Sequence, residues 1–161
     1  MVLKLTKKAM DKIQEKTFDV EPKIENHLPL SEWYVNHFKL GRKGYFIITE
    51  SKSLYSILEP SVGISSINIF KNRIVEIFKK FEKENNLKDN SIKTDVIYIC
   101  KTSNRSVLGS QTDLIKMAES IYFYDYESTT GLNEINETPM SYTNSYPDKD
   151  ILNEIKKRKD F

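Results

Sequence analysis

One cysteine, Cys100, is too few for an internal disulfide, so noncovalent contacts must hold the fold together. A lone thiol also suits a reducing compartment, and cytoplasmic residence is expected. Five glycines and five prolines in 161 residues exclude collagen-like or linker-rich architecture. The longest apolar runs, such as Tyr45-Phe-Ile-Ile48, are far too short to span a bilayer, and no membrane partner is expected. The stretch Met1–Lys8 lacks the apolar core and small-residue cleavage site of a secretory leader, so none is expected. Two histidines, His27 and His37, and one cysteine offer no ligand pair on a helix face, and the acidic residues form no D-x-D cluster. Neither a metal nor a cofactor is therefore expected. Charge of one sign is missing too: 25 Lys and Arg against 23 Asp and Glu leave +2, which excludes a strong global pull toward nucleic acid or anionic lipid.

What the chain does have is short periodic apolar runs, 39% hydrophobic residues and 30% charged ones. That is the composition of a folded domain, and a length of 161 residues fits one core. A single domain over 1–161 is expected, with the basic run from Lys156 fraying as a tail.

Val2-Leu-Lys-Leu5 reads as a strand, and Thr6 can cap a helix carrying Ala9, Met10 and Ile13. Alternation predicts strands over 33–40, 45–49 and 54–58, with Gly41-Arg-Lys-Gly44 as a turn, making an antiparallel meander. Ser65 or Ser66 can cap the clearest helix, in which Ile67, Phe70, Ile74, Ile77, Phe78 and Phe81 recur at three- and four-residue steps. The β-branched and aromatic run Thr94–Cys100 predicts another strand. Ser110 and Asp113 suggest a variant capping box ahead of Leu114, Met117, Ala118 and Ile121, and Asp148 suggests a cap for a last helix with Ile151, Leu152 and Ile155. Helices and strands mix without strict alternation. The expected fold is α+β: one compact domain, a mixed or antiparallel sheet of about five strands, and three or four helices.

The segment Lys101–Asp113 concentrates polar groups between a strand and a helix, where ligands tend to bind. Lys101 and Arg105 would face an anion, Asn104 would orient it, and the amides around Gly109 and Ser110 would lie at a helix N-terminus. The competing reading is a loop stabilised by its own side chains. The glycine spacing is not that of a phosphate loop, and Ser106 has no recognisable base partner. Asn36 and His37 are adjacent on a strand and so point to opposite faces. Either can join the site, although a histidine satisfied by its surroundings is the plainer account. Trp33 reads as a core or rim aromatic. Basic side chains gather at Lys4, Lys7, Lys8, Lys12 and Lys16, at Arg42-Lys43 and at 156–159, as a nucleic-acid footprint or as solvated faces. The acidic, tyrosine-rich strip 121–127 suits a protein contact or simply a packed helix end.

These residues also carry a resemblance. Trp33-x-x-Asn36, Tyr45-Phe-Ile-Ile-Thr-Glu50, Lys101-Thr-x-Asn104-Arg105-Ser106-Val-Leu-Gly109-Ser110 and Asn136-x-Thr-Pro139-Met140 together resemble an uncharacterised bacterial family known only as a domain of unknown function. The likeness covers nearly the whole chain. Some relatives are fused to a transposon-passenger-like domain, which implies mobile-element surroundings. Relatives tend to carry Trp-His-Ala-Asn where this chain has Trp33-Tyr-Val-Asn36, so a role for that histidine would be absent or moved to His37 on the other strand face. The resemblance implies no activity, but groups Asn36, Arg105 and Ser106 as one site.

Three functional readings follow. The first is a non-enzymatic binding module of a mobile-element, phage or defence setting. Its ligand site of Asn36, Lys101, Asn104, Arg105, Ser106 and Ser110 would take an anionic group on a small ligand, a protein or a nucleic acid. The second is an enzyme acting on phosphate esters or nucleic acid, with Lys101 and Arg105 stabilising charge and Asp113 or His37 as base. The third is an inhibitor or antitoxin-like protein using 121–127.

Overall fold

A computed structural model describes residues 1–22, 28–89, 91–124, 130–141 and 143–159. In chain order the elements are β1 (Val2–Leu5), α1 (Lys7–Lys12), β2 (Glu32–Leu40), β3 (Lys43–Glu50), β4 (Ser56–Pro60), α2 (Ile67–Glu84), β5 (Tyr98–Lys101), α3 (Arg105–Tyr124), a 3-10 helix (Thr130–Glu137) and α4 (Pro147–Lys159). One five-stranded mixed sheet has the order β4-β3-β2-β1-β5. The meander β2-β3-β4 is antiparallel, whereas β1 runs parallel to both β2 and β5. The fold is α+β, as composition and periodicity predict.

Alternation along the strands sends two sets of side chains to two cores. Leu3, Leu5, Trp33, Val35, Phe46 and Ile48 meet α1, α2 and α4 on one face. Tyr34, Phe38, Tyr45 and Ile47 meet α3, the 3-10 helix and Met140 on the other. Trp33 is fully buried; its indole N–H donates to the Leu30 carbonyl at 3.0 Å, and Phe78 packs edge-on at 4.8 Å between centroids. The α2 stripe forms as its spacing predicts, with Ser66 as the cap. Thr6 caps α1, its hydroxyl accepting from the Ala9 amide.

Several expectations are corrected. The 94–100 strand shrinks to Tyr98–Lys101, because its partner β1 begins at Val2 and offers no ladder before that point. The third meander strand starts at Ser56, since Leu54 takes a left-handed backbone (φ 61°) in the turn from β3. Lys4 is not a surface cation: β1 is an inner strand between β2 and β5 with all four residues buried, and Lys4 pairs with Glu21. Helix α4 opens after Tyr146, whose carbonyl accepts from the Lys149 and Asp150 amides, so Asp148 is not its cap; the helix runs through Lys159, and residues 160–161 of the expected tail lie outside the described residues. Of the strip 121–127, residues 125–127 lie outside the described residues, as does His27.

Candidate functional site

Strand β5 ends at Lys101, which pairs in register with Leu5 of β1. The chain then passes through Thr102, Ser103 and Asn104 into α3. Asn104 caps that helix: its Oδ1 accepts from the Ser106 amide at 2.9 Å and the Val107 amide at 3.3 Å. The expected Ser110–Asp113 capping box is therefore corrected. The helix opens earlier, Gly109 and Ser110 already lie inside it, and their amides are not at its N-terminus. Asp113 instead points to Lys116, with Oδ1 to Nζ at 3.7 Å. Ser110 is buried, like its neighbours Val107 and Gln111.

Lys101, Arg105 and Ser106 are exposed. Among the described residues neither cation has an ion-pair partner within 4.0 Å. Beneath the loop stands Tyr34, buried on β2. Burial pushes its phenol above the ordinary value of 10.0, while the Ser103 hydroxyl and the Asn104 backbone act the other way. Tyr34 thus supports the 101–106 loop from below.

Asn36 belongs to a neighbouring place. Its Oδ1 accepts from the Thr6 hydroxyl at 2.8 Å and from the His37 amide at 2.9 Å. It stands next to Val35, which pairs with Leu5, so it is two strands from Lys101, about 10 Å at the usual strand spacing. Asn36 lines a groove of about 700 Å³ together with Lys8, Asp11 and Lys12 of α1, His37–Lys39 of β2, and Thr112, Ile115 and Glu119 of α3. No residue of the 101–106 loop lines that groove. His37 turns to the opposite sheet face, with Nε2 3.1 Å from Ser61 Oγ and its ring centroid 5.2 Å from Phe46. Burial lowers its pKa from 6.5, assisted by Lys12, Lys39 and Lys8.

A family model for a domain of unknown function, DUF6933, matches residues 2–150. The chain belongs to that family. No curated protein and no solved structure matches it. The DUF6933 match runs from the first residue of β1 into α4, so it includes the whole sheet, the 101–106 loop and the groove beside Asn36.

Two further polar residues escaped the sequence reading. Gln111 has no solvent exposure; its Nε2 donates to the carbonyls of Tyr34 (3.0 Å) and Ile47 (3.3 Å) and to Thr49 Oγ1 (3.0 Å), tying α3 to β2 and β3. Its signal was present: it shares the Val107, Leu114, Ala118 stripe, where a polar side chain must find partners. Glu50 is equally buried, its Oε2 accepting from the Lys52 amide, the Ser53 amide and the Ser53 hydroxyl. Among the described residues no group of three or more His, Cys, Asp or Glu could hold a metal ion, and no helix is long and apolar enough to cross a membrane.

Proposed function

We propose that this domain is a non-enzymatic binding module, in a mobile-element, phage or defence setting, that receives an anionic group at the 101–106 loop. The carrying observation is that Lys101 and Arg105 stand exposed and unpaired at a junction whose backbone is held by the Asn104 cap and supported by buried Tyr34. Cations displayed on a held backbone lose less freedom on binding than cations on a mobile loop. Ser106 would add a hydroxyl, and Arg105 a planar donor fork suited to carboxylate or phosphate. Since Asn104 already occupies the Ser106 and Val107 amides, the side chains rather than the helix end would hold the anion.

The geometry favours binding over catalysis. Both bases that an enzyme would recruit are placed elsewhere: His37 is hydrogen-bonded to Ser61 on the opposite sheet face, and Asp113 lies eight residues along α3, about 12 Å of helix from Arg105. The test is a thermal-shift and turnover screen with nucleotides, inorganic phosphate and phosphorylated peptides, comparing the unaltered chain with Arg105→Ala. Stabilisation of the unaltered chain that disappears in the variant, with its unliganded melting temperature within a few degrees, supports the proposal. Turnover of a phosphate ester would instead establish the enzyme reading. A large loss of intrinsic stability would assign Arg105 to the architecture.

A further inference from the structure

Strand β2 is nine residues long, but its parallel neighbour β1 covers only Glu32–Val35. At Thr6 the chain leaves the sheet; the Thr6 amide donates to the Val35 carbonyl, and α1 begins at the next residue. The second half of β2 therefore has β3 on one side and no strand on the other.

The direction of its backbone groups follows from the pairing. The Ser31 and Val35 carbonyls accept from Val2 and Thr6, toward β1, whereas the Glu32 carbonyl accepts from Ser51, toward β3. Alternation then sends the backbone groups of His37 and Lys39 to the unpaired side. Asn36 already satisfies the His37 amide with its own side chain. The His37 carbonyl and the Lys39 amide and carbonyl have no backbone partner among the described residues.

His37 and Lys39 line the groove beside Asn36, and its walls differ. Helix α1 contributes Lys8, Asp11 and Lys12 on the side where His37 and Lys39 point, and α3 contributes Thr112, Ile115 and Glu119 on the side of Asn36 and Phe38. None of Lys8, Lys12 and Lys39 has an ion-pair partner among the described residues. Three cations against one carboxylate make the α1 wall positive. The α3 side offers the partly buried Ile115 and the rim of the buried Phe38 as apolar lining, beside Thr112 and Glu119.

We infer that this slot takes an extended peptide segment of a partner protein, added to the sheet as a short strand beside residues 37–39 of β2. Main-chain hydrogen bonds to the His37 carbonyl and to Lys39 would anchor it. Successive side chains of the segment point alternately to the two walls. Those facing α1 are acidic, to meet Lys8, Lys12 and Lys39, and those facing α3 are apolar, to meet Phe38 and Ile115. A strand edge presents the hydrogen-bonding pattern of another peptide backbone, which a nucleic acid does not share. The slot lies apart from the 101–106 loop and does not depend on an anion binding there.

The test begins with selection of a random dodecapeptide display library on the full chain. The expected winners alternate acidic and apolar residues. Their binding weakens by about tenfold or more in Lys8→Glu/Lys12→Glu, as loss and reversal of facing charges requires. Backbone N-methylation of a selected peptide abolishes its binding to the unaltered chain, and the unmethylated peptide slows hydrogen exchange at the Lys39 amide. The N-methylated comparison needs no altered protein, so it stands even if the charge-reversed variant misfolds. Failure to enrich the alternating pattern, binding indifferent to N-methylation, or binding without Lys39 protection would each overturn the inference. So would Lys39 protection by self-association without peptide, which would give the slot to a second copy, or competition by single-stranded DNA with no peptide enriched.

Discussion

Asn136 grips Ser56 from both sides. Its Oδ1 accepts from the Ser56 amide at 2.7 Å, and its Nδ2 donates to the Ser56 carbonyl at 2.9 Å. Ser56 opens β4, the outer strand of the meander, so one side-chain amide stands in for a neighbouring strand at the sheet edge. All four groups are buried, and Asn136→Ala would strand two of them. The expected loss is about 2–4 kcal/mol in urea unfolding. Asn136→Asp should lose at least as much, because it deletes the donor and buries a charge; equal stability of Asn136→Asp and the unaltered chain would refute the clamp.

Gln111 poses the opposite case. Its Nε2 is fully used, but its Oε1 is buried without a hydrogen-bond partner. Gln111→Met keeps the volume and removes the stranded oxygen, and its stability should stay within about 1 kcal/mol of the unaltered chain. Gln111→Ala opens a cavity between α3 and the sheet and should lose about 2–4 kcal/mol. Equal losses in both variants, read from denaturant midpoints, would mean that the donated bonds outweigh the packing.

Burial raises the Glu50 pKa above 4.5, against the Ser53 and Lys52 hydrogen bonds that favour its charge, and Glu154 adds to the rise. Between 4.5 and the folded value the native state holds more protons than the unfolded one. Stability from this group is therefore complete at low pH, falls as pH rises through that window, and stays lower above it. Glu50→Gln should flatten this fall and leave the variant more stable than the unaltered chain at neutral pH. Unfolding free energies at stepped pH values measure both effects.

Gly44 lies in β3 against the His37–Ser61 pair. A Cβ there would come to 2.5 Å from Ser61 Oγ and 2.9 Å from His37 Nε2. Gly44→Ala should separate the pair at a cost of about 1–3 kcal/mol. In the unaltered chain the lowered His37 pKa means that the unfolded state protonates first on acidification, so stability is lost as pH falls through 6.5. The variant, with its ring displaced toward solvent, should titrate nearer 6.5 in an imidazole NMR titration and show a weaker acid dependence.

The meander, the α2 stripe with its Ser66 cap and the Thr6 cap were legible because each rests on contacts within a few residues. The start of α3 was misjudged: Ser110 read as its cap and Asn104 as a ligand residue, whereas Asn104 takes the capping bonds and Ser110 lies inside the helix. The candidate residues of the 101–106 loop were legible as a polar cluster next to a strand. Asn36 looked like their companion, but its side chain reaches Thr6 and its own neighbour's amide instead. The groove residues Lys8 and Lys12 read as a nucleic-acid footprint or as solvated charges, and Lys39 was not singled out, since nothing local places α1 beside the open half of β2.

By itself the chain's residue order determined the type of each main element and the α+β class, because periodicity and capping act over a turn or a strand length. Tertiary structure decided that β1 lies between β2 and β5, which buries Lys4, leaves half of β2 without a parallel neighbour and sets Tyr34 beneath the 101–106 loop. The pairings of β1 join residues 30 positions apart with β2 and 96 apart with β5, and pairings at that range are selected by the packing of the whole core rather than by any local preference.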